Sequence, residues 1–163
     1  MRAFRIADRR VHIFDGTGAR ISGGRWNSPG RALIYAAETF ASALLEVLVH
    51  SSLGRVPKTH ALVEITIPEI VAIEPVSGHD LAGWDDEDQL VSRQFGDHWL
   101  KEQRSAVLLV PGRVTRGRER NVLINPAHRD FTQISDGQPE EFQWDSRLLR
   151  RKSKGDQVVA PKR

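Results

Sequence analysis

The 163-residue chain contains no cysteine, which excludes disulfides, thiolate metal sites and thiol catalysis. It has one tyrosine, one methionine and six histidines. None of the histidines falls at H-x-x-H or H-E-x-x-H spacing, so no metal site is expected. No apolar run approaches the ~18 residues of a membrane-spanning helix, and the N-terminal "MRAFRIADRR" lacks the apolar region of a signal peptide. A soluble, cytoplasmic protein is the expectation. No G-x-G-x-x-G is present, and strand–helix alternation is too sparse for a dinucleotide-binding α/β fold. What remains is enough apolar content, 39%, for one domain with a genuine core.

The net charge of +3 and pI near 9.7 invite a nucleic-acid reading, but the charge is unevenly placed. Residues 147–163, "RLLRRKSKGDQVVAPKR", hold seven Lys/Arg and one Asp, a net of +6. The other 146 residues carry 17 basic and 20 acidic side chains, a net of −3. The expected organisation is one domain over residues 1–150 and a basic, disordered tail over 151–163. A non-enzymatic nucleic-acid-binding module built on "GRVTRGRER" and the tail is a competing class. It finds no helix-turn-helix or aromatic stacking motif to support it.

Along the chain, "RIADRR" through "VHIF" reads as a short strand and turn. "DGTGARISGGRWNSPGR" reads as a loop with Ile21 as its main apolar anchor. "ALIYAA" reads as a buried strand, and Glu38 to Ser52 as the clearest helix, stopped by Gly54 and Pro57. "HALVEITIP" alternates as a half-buried strand does. "VSGHDLAGWDDEDQL" is an acidic loop and "SRQFGDHWLKEQ" a short helix. "SAVLLVP" and "NVLINP" are strands joined by "GRVTRGRER". The class is α+β, with two small packed sheets and flanking helices.

On a helical wheel, Phe40, Ala41, Leu44, Leu45 and Leu48 form a broad apolar face, with Glu46 opposite beside Ser42 and Ala43. That polar face is either open water or the wall of a cleft in which small residues leave room for a ligand. Arg25 on its Gly-rich turn is either solvated or a bidentate anion ligand. Tyr35 on its strand is a core aromatic whose hydroxyl needs a partner.

Taken together, "GARISGGRWNSPGRALIYAAETFASALLEVLVH", "FGDHWL" and "SAVLLVP…ERNVLINPAHRDF" resemble the RES-domain family from about Phe4 to Leu149. The family is named for an Arg–Glu–Ser trio, and its members are toxins of bacterial toxin–antitoxin pairs. The resemblance implies an ADP-ribosyltransferase-like fold that consumes NAD⁺ by hydrolysis or phosphorolysis, with inorganic phosphate as a possible co-substrate and no metal. It implies Arg25, Tyr35 and Glu46 as catalytic residues, and Arg5 near the nucleotide. The serine is Ser42, favoured by its place one turn before Glu46, or Ser92 or Ser105. Asn121 is a further candidate for the cleft. Implied partners are a helical antitoxin with a DNA-binding domain that blocks the active site, and a second toxin copy. An ADP-ribosyltransferase acting on a macromolecule is the alternative on the same constellation.

Overall fold

The computed structural model describes residues 1–50 and 59–149. The expected helix end at Ser52, its stop signals Gly54 and Pro57, and the basic tail lie outside those residues.

Seven strands form one sheet in the order β4-β5-β6-β2-β1-β3-β7. They are β1 (Arg2–Asp8), β2 (Ile34–Ala37), β3 (His60–Thr66), β4 (Ile73–Pro75), β5 (Val107–Pro111), β6 (Arg120–Ile124) and β7 (Ser135–Asp136). All pairs are antiparallel except β4 with β5. Three helices accompany them: α1 (Thr17–Ser22), α2 (Phe40–His50) and α3 (Leu90–Glu102). The class is α+β, as the sequence pattern indicates.

The expectation of two small sheets needs refinement. Strand β1 pairs with β3 over its full length, from Arg2↔Thr66 to Asp8↔His60, but with β2 only at Phe4↔Ala37. Two half-sheets are thus hinged at one residue pair. Beyond it, the Arg5 guanidinium stands where the ladder would continue. Its Nε donates to the Ile13 carbonyl (2.7 Å) and its Nη1 to the Tyr35 carbonyl (2.5 Å). A side chain satisfies a strand carbonyl and lets the two strands part.

Alternation along the strands builds the core. One face carries Ala3, Ile34, Ala36, Val63, Ile65, Val107, Leu109, Val122 and Ile124, closed by Ile13, Phe14, Phe131 and Ile134. Each large side chain buried there contributes about 1.5–3 kcal/mol. On the other face, Leu33, Leu108, Val110 and Leu123 lie under Trp26, Trp84, Trp99 and Leu100. Helix α2 covers the β1 half through Ala43, Leu44 and Val47 against Phe4, Ile6 and Ala37.

Three expectations are corrected. Ile21 is exposed, and it lies on α1; the loop is anchored instead by buried Trp26 and Asn27. Strand β4, too short to show a period, was not expected. The wheel of α2 is rotated from the expected one: Ser42 and Ala43 are its buried residues, Leu44 and Val47 pack beside them, and Leu45 and Val49 are exposed. Small residues let this helix approach the sheet closely. Phe40 finds its partner outside the sheet, edge-on to Phe142 at 5.8 Å.

Candidate active site

A cleft of about 1010 Å³ opens on the face shared by α2, β2 and the Gly-rich loop. Its lining includes Arg5, Arg25, Tyr35, Glu46 and Asn121, so five of the six residues singled out from the sequence meet in one concavity. The sixth, Ser42, is not in the lining. It is buried and donates to Glu119 Oε2, beside a second hydrogen bond from Thr39 to the same oxygen. Ser92 and Ser105 are absent from the lining as well. Ser92, inside α3, donates back to the Gln89 carbonyl (3.2 Å), and Ser105 accepts from the Trp99 indole and donates to the Val107 carbonyl.

Glu46 projects from α2 with its side chain 27% exposed. Its Oε1 accepts from Asn121 Nδ2 at 2.9 Å. Asn121 lies where β6 pairs with both Ala37 and Val110, so a rigid strand holds one carboxylate oxygen still. His50, one turn later, donates through Nδ1 to the Glu46 carbonyl (2.8 Å) and also lines the cleft.

Arg25 is placed by its backbone and by a second loop. Its Nη1 donates to the carbonyls of Trp84 (3.0 Å) and Asp86 (2.9 Å). These two bonds leave most of the guanidinium's five donors for other partners. Burial lowers its pKa from the ordinary arginine value, and the nearby Arg113 charge pushes the same way, opposed by Asp85 and Glu46.

Tyr35 faces the cleft with its ring and the loop with its hydroxyl. The hydroxyl accepts from the Trp26 N–H (3.0 Å) and donates to Asn27 Oδ1 (2.7 Å). Burial raises its pKa well above the usual phenol value. Asn27 in turn donates to the carbonyls of Ala19 and Arg31. A side chain at Gly24 would place its Cβ 2.5 Å from the Tyr35 hydroxyl, so only glycine fits there. Tyr35 therefore fastens the turn that presents Arg25. Arg5 spends two of its five donors on the Ile13 and Tyr35 carbonyls, and burial lowers its pKa while Asp15 opposes the shift.

Several contributors escaped the sequence reading. Asp97 on α3 accepts from Ser28 N and Oγ and pairs with Arg31, tying loop to helix. Gly96 lets the same helix reach the loop backbone: a Cβ there would lie 1.9 Å from the Trp26 carbonyl oxygen. Glycine inside a helical pattern is the signal that could have found it. Arg113, His60 and Gln89 also line the cleft. Gln89 has left-handed backbone (φ 61°) and accepts from Arg93 through Oε1. Among the described residues, no cluster of His, Asp and Glu is arranged to hold a metal ion, and no helix is long and apolar enough to cross a membrane.

Residues 2–145 match the RES domain family. The chain is 43% identical over 156 residues to a "Prs ADP-ribosylating toxin" of a Sphingobium species, covering 91% of this chain and 96% of that protein. It is 35% identical to a "Toxin Res" of Yersinia enterocolitica, covering 91% and 99% of the two chains. The fold resembles a chain in the crystal structure of the M. tuberculosis MbcT–MbcA toxin–antitoxin complex. The TM-score is 0.71 at 18% identity, over 86% of this chain and 83% of that one. A family match spanning nearly the whole described body, on a shared α+β fold, leads to one conclusion: the chain belongs to the RES domain family.

Proposed function

We propose that this chain is the toxin of a toxin–antitoxin pair and consumes NAD⁺ by breaking the bond between nicotinamide and ribose. The observation that carries the reading is Glu46, fixed by Asn121 in the same cleft as Arg25. The glycosidic electron pair leaves with nicotinamide, which departs as a neutral molecule, and positive charge develops on the ribose. The Glu46 oxygen not bound to Asn121 hydrogen-bonds a ribose hydroxyl and stabilises that charge. Arg25 holds the pyrophosphate through its remaining donors. Tyr35 packs its ring beside the nicotinamide ribose and keeps the Arg25 turn in place, and Arg5 frames the nucleotide at the strand split. The acceptor is water, whose proton passes to solvent as it attacks the anomeric carbon, or inorganic phosphate, which attacks through an anionic oxygen.

A second reading, ADP-ribosyl transfer to a protein, is favoured by the name of the 43%-identical relative, a Prs ADP-ribosylating toxin. An antitoxin partner is supported by likeness to a chain of a toxin–antitoxin complex, and the cleft is the surface it would have to cover to block this reaction.

The test is incubation of purified protein with NAD⁺, alone, with phosphate, and with purified Prs, followed by mass spectrometry. Free ADP-ribose indicates hydrolysis, ADP-ribose 1″-phosphate indicates phosphorolysis, and a mass gain on Prs indicates transfer. Intact NAD⁺ in all three would overturn the proposal.

A further inference from the structure

The loop "GRVTRGRER" between β5 and β6 contributes one arginine to the cleft, and its role is not explained by the catalytic constellation. Arg113 lines the cleft and donates through Nε to the Asp85 carbonyl at 3.1 Å. Arg25 donates to the carbonyls on either side, Trp84 and Asp86. Two guanidiniums from different loops therefore grip three consecutive carbonyls and stand next to each other. Other arginines here are neutralised by carboxylates, as Arg31 is by Asp97, Arg104 by Glu74 and Arg120 by Glu38. Among the described residues, Arg25 and Arg113 hydrogen-bond only to neutral carbonyls, as Arg5 does, and the nearby carboxylates of Asp85 and Glu46 oppose the Arg113 charge at Arg25 without pairing with it.

The Arg113 loop is built to hold its shape. Gly112 N–H donates to the Glu119 carbonyl (2.8 Å), Gly117 N–H to the Gly112 carbonyl (2.8 Å), and Thr115 Oγ1 accepts from the Glu119 N–H (3.2 Å). Arg120 pairs with Glu38, and of the three remaining arginines, all exposed, Arg113 alone is in the cleft lining. The two like charges of Arg25 and Arg113 repel each other, opposed by the nearby Asp85 and Glu46 carboxylates, and an anion placed between them relieves that repulsion further. A phosphoryl group offers several oxygens to the two planar forks, which is the geometry guanidinium pairs recognise best.

We propose that Arg113 and Arg25 together form a two-arginine clamp for phosphoryl oxygens at the mouth of the cleft, with Arg113 as a substrate-binding residue. The proposal rests on the NAD⁺ reading for its substrate class. The phosphoryl group is either the pyrophosphate of the dinucleotide or inorganic phosphate.

The test measures binding of ADP and of inorganic phosphate to the wild type, Arg113→Gln, Arg113→Lys and Arg118→Gln at one ionic strength. Arg118→Gln removes the same charge from the same loop outside the cleft. ADP affinity is expected to fall about 10- to 100-fold in Arg113→Gln, less in Arg113→Lys, and less than about twofold in Arg118→Gln. A loss confined to ADP assigns the clamp to pyrophosphate, and a loss confined to phosphate assigns it to the acceptor. Unchanged affinity for both in folded Arg113→Gln, an equal loss in Arg118→Gln, or a wild type that binds neither anion would overturn the clamp. NAD⁺ turnover by the wild type is measured in parallel. Binding that depends on Arg113 without any turnover would sink the NAD⁺ reading and leave the anion site standing.

Discussion

At the scale of single residues, the account depends on which donors are already occupied. Arg25 uses Nη1 on two carbonyls and keeps a fork for a ligand. Lysine would keep the charge and lose the fork. Arg25→Lys is expected to lower kcat/KM by about 30- to 150-fold, or ~2–3 kcal/mol, and Arg25→Ala further. Wild-type kinetics in a well-folded Arg25→Ala protein would remove the clamp. Tyr35 is the only tyrosine, so the tyrosinate absorbance reports on it alone. Its pKa is raised by burial, so the neutral form favours the folded state. That stability is fully present below the unfolded value of about 10 and is lost as pH rises beyond it. Tyrosinate is therefore expected to appear only together with unfolding in an alkaline titration. A simple titration near pH 10 with the fold intact would contradict the buried hydroxyl network.

At the scale of elements, the junction of α3 with the Gly-rich loop fixes the Arg25 turn. In an exposed helix, glycine to alanine stabilises by about 1 kcal/mol. At Gly96 the new Cβ would meet the Trp26 carbonyl oxygen at 1.9 Å, and backbone has to move. Gly96→Ala is expected to destabilise by about 1–3 kcal/mol and to lower turnover by displacing Arg25. A raised melting temperature would show that the contact is loose. Element identity was legible where the pattern was long: β2, β3, β5, β6, α2 and α3 all lie where periodicity placed them. The orientation of α2 was not. A wheel sorts residues by polarity, and this helix turns Ala43 and Glu46 toward the sheet and cleft because small side chains permit close approach. The surroundings of Ser42 were hidden in the same way: residues four apart share a helix face, but the Ser42 hydroxyl donates to Glu119, which is distant in sequence.

At the scale of the whole molecule, the site follows from an incomplete sheet. The two half-sheets meet at Phe4↔Ala37, and Arg5 holds the split below it. The cleft lies along that seam. Composition could not show the seam, because strand patterning reports which residues are buried and not which strands stop pairing. The resemblance of "GGRWN", Tyr35, Glu46 and "NVLINP" to a known family pointed to candidate residues that periodicity could not, and five of them line this cleft. The central claim is that Glu46 stabilises a reacting ribose in this cleft. It is tested most directly by nicotinamide release from NAD⁺ by wild type and Glu46→Gln, each with a thermal melt. A glutamine can keep the Asn121 hydrogen bond through its oxygen, so stability should change by less than about 1 kcal/mol. Release is expected to fall at least about 100-fold, equivalent to ~3 kcal/mol of lost transition-state stabilisation. Undiminished nicotinamide release by a folded Glu46→Gln protein would contradict the account.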